Sequence, residues 1–237
     1  MPKLSVVIIT YNEERNIGRC LDSVKGLADE VVVVDSFSTD KTEEICRAAG
    51  ATFIQRKWEG YSDTKNFAAS RSQFDWVLSL DADEALSETL RDSILRVKTG
   101  DEPAFCEFKR LTNYCGKWIY HCGWYPDIKL RIYDRKIALW KGELHEQLVL
   151  SAPKKIIALA GDLLHYSYYT VDEHYRQIQK FTDISSREYY SNGIRVSVLK
   201  LAIAPVLNFF RNYFFKFFLC FFFFICNKFD YEFVVDI

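Results

Sequence analysis

Four short apolar runs, each followed by a helix-like segment, govern what this chain can fold into. They read LSVVIIT at 4–10, EVVVV at 30–34, ATFIQ at 51–55 and DWVLSL at 75–80. LSVVIIT and EVVVV are continuous and β-branched, the pattern of strands covered on both faces. The first is followed by a helical segment, 14–25, with Ile17, Leu21 and Val24 at helical spacing and Gly26 as its stop. After the second, Asp40 and Glu43 predict a capping box for a helix that ends at Gly50. Residues 62–73 read as a helix with Ser62 as N-cap, and Ser87 caps another that ends at Gly100. Such alternation predicts an α/β fold: a mostly parallel sheet with helices on both faces. Ligands of these sheets bind beyond the carboxyl ends of the strands. The residues there are Thr10, Tyr11, Asn12 and Glu13, then Asp35 and Ser36, then Asp81, Ala82 and Asp83.

The fourth run continues as LSLDADE, so a buried strand ends on Asp81, Asp83 and Glu84. Crowded carboxylates repel unless positive charge sits among them. One reading is a helix start, with acids near the positive end of the helix dipole. The other is a divalent cation, Mg²⁺ or Mn²⁺, held by one or two carboxylates and by substrate phosphates. No glycine-rich phosphate loop follows the first strand, where TYNEERN stands instead, and no GKS or GKT sequence occurs. These absences argue against a dinucleotide fold and a P-loop NTPase.

Beyond residue 100 the pattern loosens. Residues 103–150 are rich in aromatic and β-branched residues, with turns at Gly116, Gly123 and Gly142, and predict antiparallel or mixed strands. Residues 171–190 read as a polar helix. The net charge of −1 gives no global reason to expect nucleic acid as a partner. It is unevenly placed, however: residues 189–228 carry five basic residues and no acid, a local +5 against −6 elsewhere. The seven cysteines include no CxxC pair, and the first residues run directly into a strand. We expect reduced thiols, mostly small core residues, in a cytoplasmic protein.

The stretches VVIITYNEERNIGRCLDSV, EVVVVDSFSTDKT, TKNFAASRS and DWVLSLDADE, in this order and spacing, resemble the family-2 glycosyltransferases of GT-A (Rossmann-like) fold. Residues 103–185 are similar to the bacterial branch that adds sugars to the lipopolysaccharide inner core, such as β-1,4-glucosyltransferases acting on core heptose. The resemblance implies roles for positions at the strand ends. Tyr11 would stack on the nucleotide base, and Asp35 would hydrogen-bond the uracil edge. Lys65 or Arg71 would help hold the nucleotide. Asp81 would contact the ribose or the metal, and Asp83 would ligate the metal. It also implies a base for the acceptor hydroxyl and a later histidine in the metal shell. Glu146, within WKGELHEQL, is the expected base, with Asp127 and His145 as rivals; His165, within LLHYSYY, is the expected metal histidine.

The expected organisation is a nucleotide-sugar-binding half at 1–100, an acceptor-binding and catalytic half at 101–190, and a basic aromatic tail at 191–237. Within that tail the uncharged run Phe217 to Cys226 is ten residues, too short for a span of about 20. A helical tail lying on an anionic membrane surface is expected instead. The implied activity is metal-dependent, inverting transfer of a hexose, glucose from UDP-glucose being favoured, to a lipid-linked saccharide at the inner face of the cell membrane. A protein or another polysaccharide precursor is an alternative acceptor, and an inactive membrane-docked scaffold is the alternative class.

Overall fold

The computed structural model describes residues 1–210 apart from 101–102, 122, 143–145, 192 and 194–196, and the backbone alone at 188, 200 and 201. Strand β1 (Leu4–Thr10) is buried along its whole length. Its side chains go alternately to two layers, as the period of a strand requires. Leu4, Val6 and Ile8 enter a core with Ile17, Leu21, Leu90 and Ile94, while Val7 and Ile9 enter a second core with Ala68, Tyr133 and Trp140. A run apolar at every position therefore means helices or strands on both faces of the sheet.

Strands β2 (Glu30–Asp35) and β3 (Thr52–Gln55) extend the sheet on one side of β1, and β4 (Trp76–Asp81) lies on the other, all parallel. Helices α1 (Ile17–Val24), α2 (Thr42–Ala48) and α3 (Tyr61–Arg71) make the crossovers. Gly26 and Gly50, at φ 74° and 77°, terminate the chain turns after α1 and α2 as their sequence positions predicted. Two expected caps are not made. α2 begins one residue after Lys41 with no side-chain cap, because Asp40 accepts from the Thr42 and Glu14 amides and Glu43 pairs with Arg47. α3 begins after Gly60, and the Ser62 hydroxyl donates to the Gly142 carbonyl instead.

After β4 a short strand β5 (Glu84–Leu86) leads into α4 (Glu88–Lys98), where Ser87 accepts from the Leu90 amide as expected. The sheet then continues through β6 (Phe105–Tyr114), β7 (Lys117–Ile119), β8 (Asp127–Asp134) and β11 (Ile156–Tyr168), while β9 (Ala138–Lys141) and β10 (Gln147–Leu150) pair separately. The order is β3-β2-β1-β4-β8-β6-β11-β5, with β7 on the side of β6. β8 runs antiparallel to β4 and to β6, β11 is parallel to β6, and β5 is antiparallel to β11. The fold is thus a mixed α/β sheet, parallel in its first half. A first unit covers Met1–Phe181 and a second starts at Thr182. Helix α5 (Val171–Ser191) spans the boundary, and α6 (Val198–Phe209) lies in the second unit. Among the described residues no helix is long and apolar enough to cross a membrane. The tail from residue 211 lies outside the described residues.

Cys20, Cys46 and Cys106 are buried and Cys115 is exposed; none is in a disulfide. Burial pushes the Cys46 and Cys106 thiols up to about 12, so they behave as small core residues.

Candidate active site at the carboxyl edge of the sheet

Register places Thr10 beside Asp35 and Ile9 beside Asp81, so the ends of β2, β1 and β4 form one edge. The loops leaving β1 and β2 are tied to each other. Asn12, at φ 54°, donates its amide to the Ser38 hydroxyl and accepts from the Thr39 amide at 2.8 Å. The Glu13 amide donates to Thr42 Oγ1 at 2.9 Å. Asparagine tolerates this left-handed backbone better than most residues. Asp35 is wholly buried, and its two oxygens accept from the Ser38 amide and hydroxyl. It orders its own loop here rather than offering a bare carboxylate. The Thr10 and Ser36 hydroxyls are buried without a hydrogen-bond partner, and Tyr11 is 57% exposed beside them.

The cluster at the end of β4 separates into two parts. Asp81 and Glu84 belong to a buried ionic network. Arg131 Nη2 donates to Asp81 Oδ2 at 3.1 Å and to Glu84 Oε1 at 2.9 Å, and Glu84 also accepts the Asp81 amide at 3.0 Å. Lys65 lies 3.1 Å from Asp81 Oδ1, although hydrogen-bond geometry is met only at Oδ2, at 3.4 Å; it is 2.6 Å from Glu146 Oε1. Both cations stand over the Trp140 ring, at 4.9 Å for Lys65 and 5.7 Å for Arg131. Burial by itself would push the Asp81 carboxyl up; the charges of Lys65 and Arg131 overcome it and hold the group well below the usual carboxylate range.

Asp83 turns elsewhere. Its Oδ2 lies 3.2 Å from His165 Nε2, and the Asp83 carbonyl accepts the Tyr166 amide at 2.9 Å. Thr112 Oγ1 is 3.3 Å from His165 Nδ1. Both side chains are partly open to solvent. Nearby, Glu13 is raised to about 7, first by burial and then by the Asp83 charge, while a hydrogen bond from Asn16 works the other way.

A carboxylate facing an imidazole at a solvent-accessible edge is a donor set that fits a divalent cation with phosphate oxygens in its remaining positions. Among the described residues no group of three His, Cys, Asp or Glu side chains is gathered in this way. Asp83 and His165 are brought together, whereas Asp81 is committed to Lys65 and Arg131. The expectation that Asp81 shares the metal with Asp83 therefore meets a competing use of its oxygens.

Of the two basic candidates, only Lys65 reaches the site. Arg71 is exposed at the far end of α3, over the Phe67 ring at 4.7 Å. Six residues of helix carry it about 9 Å along the axis and roughly 240° around it. Glu146 sits against Lys65. Asp127 accepts from Arg110 at 2.9 Å and pairs with Lys129 at 2.9 Å. These two cations outweigh burial and hold its carboxyl below its ordinary range. His145 lies outside the described residues.

Sequence reasoning missed Arg131 as a site residue. An arginine in an alternating strand such as DIKLRIYD reads as a solvent-facing position, yet Arg131 is 3% exposed. It also missed a cleft of about 350 Å³ on the other side of His165, whose walls include Arg110, Thr112, Trp124, Asp127, Tyr168 and His174. The aromatic content of 103–168 was the available signal.

An edge of this kind, with acids, a histidine and unpartnered hydroxyls beyond parallel strands, suits an enzyme that acts on an activated, phosphate-bearing donor. Residues 5–136 match the model of Glycosyl transferase family 2, and the chain belongs to that family. It is a glycosyltransferase. An uncharacterized glycosyltransferase of Rickettsia typhi is 32% identical over 227 residues, which cover 91% of this chain and 78% of that one. The lipopolysaccharide core biosynthesis glycosyltransferase LpsC of Rhizobium meliloti is 31% identical over 231 residues, covering 90% and 82%. Among solved structures, S. aureus TarS 1-349 superimposes with a TM-score of 0.47 at 20% identity, over 70% of this chain and 60% of that one.

Proposed function

We propose that the protein is a metal-dependent, inverting glycosyltransferase that moves a hexose from a UDP-sugar, glucose being favoured, to a lipid-linked saccharide of the lipopolysaccharide inner core. The observation that carries the reading is the Asp83–His165 pair at the carboxyl edge of a mixed α/β sheet. The acceptor class rests on the similarity to LpsC, which is named for lipopolysaccharide core biosynthesis.

In this reading Asp83 and His165 hold Mg²⁺ or Mn²⁺, which when bound neutralises charge on the departing diphosphate. The exposed Tyr11 ring receives the base, and the buried Thr10 and Ser36 hydroxyls beside it bond the nucleotide only if the loops over them open. Direct contact of Asp35 with the uracil edge requires Ser38 to move aside. Asp81 is held by Lys65 and Arg131 as a fixed anion beside the donor. The acceptor oxygen attacks the anomeric carbon from the face opposite the diphosphate. The carbon–oxygen bond to the diphosphate breaks, the electron pair leaves with it, and Glu146 takes the acceptor proton. Inversion at the anomeric carbon follows from the single displacement.

The enzyme works on the cytoplasmic side of the cell membrane in this proposal. Helix α6 exposes Val198, Leu199, Ile203, Val206, Leu207 and Phe209, a surface suited to the acyl boundary of a bilayer. The basic sequence around it favours anionic headgroups.

The test is UDP affinity with and without Mn²⁺, together with hydrolysis of a panel of UDP-sugars, for the wild type and Asp83→Ala. Metal-dependent UDP binding and turnover by the wild type, both lost in a folded Asp83→Ala protein, is the expected result. UDP affinity that ignores the metal removes the reading.

A further inference from the structure

His165 has two neighbourhoods. Its Nε2 faces Asp83, and the ring also forms one wall of the cleft of about 350 Å³. We infer that this cleft is the acceptor subsite, and that the unit it takes is a neutral sugar ring, without phosphate or carboxylate. The inference rests on the glycosyl-transfer reading and adds the place and charge class of the second substrate.

Position is the first argument. Transfer requires the acceptor hydroxyl to lie against the carbon that carries the diphosphate, in a near-attack arrangement. A cleft that shares His165 with the candidate metal pair adjoins that place, and its size falls at the small end of the ~300–1,000 Å³ range for small-molecule sites.

The walls are the second. Trp124, Tyr168 and His174 bring aromatic surface from the loop before β8, from β11 and from α5. His174 is fixed: Tyr168 stacks on it at 4.4 Å, and the Tyr114 hydroxyl lies 3.1 Å from its Nδ1. Tyr114 in turn packs edge-on against Trp124 at 5.8 Å. A preformed aromatic wall binds the apolar face of a sugar without an ordering cost.

Charge is the third. Among the described lining residues Arg110 is the one guanidinium; it is 2.7 Å from Asp127 and 3.6 Å from Glu84, while Lys129 takes the other Asp127 oxygen at 2.9 Å. Glu84 also holds Arg131 at 2.9 Å, so it is Asp127 that meets the Arg110 charge, and among the described lining residues no unpaired lysine or arginine faces the cleft. A phosphate here would face Asp127. A pair of vicinal hydroxyls, by contrast, donates to Asp127 and accepts from Arg110 without disturbing the balance.

The experiment is NMR-detected binding of neutral methyl hexosides and heptosides, and of their 6-phosphates, to the full chain. Neutral glycosides are expected to bind with Kd of about 1 mM, weakened about tenfold or more in Trp124→Ala and in Asp127→Asn, with the phosphates binding no tighter. Melting curves confirm folding, and Trp124→Phe, which keeps a ring, should retain most of the binding. No glycoside binding by the wild type, wild-type affinity in both Trp124→Ala and Asp127→Asn, or tighter binding of the phosphates overturns the inference. UDP-sugar turnover is measured in parallel. Turnover without glycoside binding in the cleft removes the subsite alone, whereas glycoside binding without metal-dependent UDP affinity removes the transfer reading and leaves a neutral-sugar site with no acceptor role.

Discussion

The Lys65 ammonium lies 2.6 Å from Glu146 Oε1, and none of the Lys65 side chain reaches solvent. The contact ties α3 to the segment after β9, and Asp81 completes it from β4. Removing one member of a buried ion pair strands the other, at a cost of about 3 kcal/mol or more. Lys65→Met should lower the urea midpoint accordingly, with an unchanged slope. A loss below about 1 kcal/mol would show the pair to be screened as a surface bridge is.

In the proposed function Glu146 and Asp127 are the rival bases for the acceptor proton, and they sit in different places. Glu146 adjoins Lys65 and Asp81, whereas Asp127 lines the cleft and is bonded to Arg110 and Lys129. Glu146→Gln should reduce kcat by about 10²–10⁴ while donor binding persists. Asp127→Asn should act mainly on the acceptor KM. The reverse pattern, read from steady-state kinetics with saturating donor, would exchange the two roles.

Thr112 is buried and stands 3.3 Å from His165 Nδ1, opposite the nitrogen that meets Asp83. Partners of this kind fix the ring and its tautomer. Thr112→Val keeps the shape and removes the hydroxyl, and should weaken Mn²⁺-dependent UDP binding by about 10- to 100-fold. Affinity equal to wild type, measured calorimetrically, would show that the ring is held by packing alone.

Asp29 closes the opposite edge of the sheet. Burial works against its charge, but Lys98, the Leu4 amide and Lys3 bond it and bring its carboxyl to about 2, from an ordinary 3.8. The folded group is the stronger acid, so its stabilisation is present above about pH 4 and disappears as the pH falls toward 2. Asp29→Asn should therefore cost about 1 kcal/mol near neutrality, solvent screening taken into account, and nothing at the acid end. Thermal unfolding at several pH values tests this; a constant difference between the two proteins contradicts it.

Gly161 sits at φ 95° in β11, at the bulge between Ala158 and Asp162, where the strand crosses the start of α4. A Cβ there would lie 2.3 Å from the Leu90 nitrogen and 2.7 Å from its Cα. Backbone cannot yield as a side-chain tip can. Gly161→Ala should destabilise by about 3 kcal/mol or more, combining positive φ with overpacking. Soluble, wild-type melting behaviour would mean that α4 shifts freely.

The first hundred residues were legible because burial on both sheet faces leaves a continuous apolar run, and the strand ends then name the site. LSLDADE announced a charged corner, but not how it divides. Asp83 meets a histidine, while Asp81 and Glu84 meet Lys65 and Arg131, and that division depends on strands far along the chain. Arg71 looked equivalent to Lys65 until helical geometry separated them. β5 was invisible: three residues between a strand and a capped helix carry no period, and only pairing with β11 makes them a strand. Arg131 and the aromatic cleft arise from antiparallel neighbours whose register no local pattern records.

β11 lies between β6 and β5, although among the described residues it is the last strand of the sheet to be made. On the ribosome, Glu84–Leu86 waits without a strand neighbour until Ile156–Tyr168 has emerged, and Asp83 waits equally for its imidazole. A nascent polypeptide stopped at residue 155 would display every motif of the donor half and have no histidine to complete the pair. In the proposed reading the pair is complete only once β11 has been made.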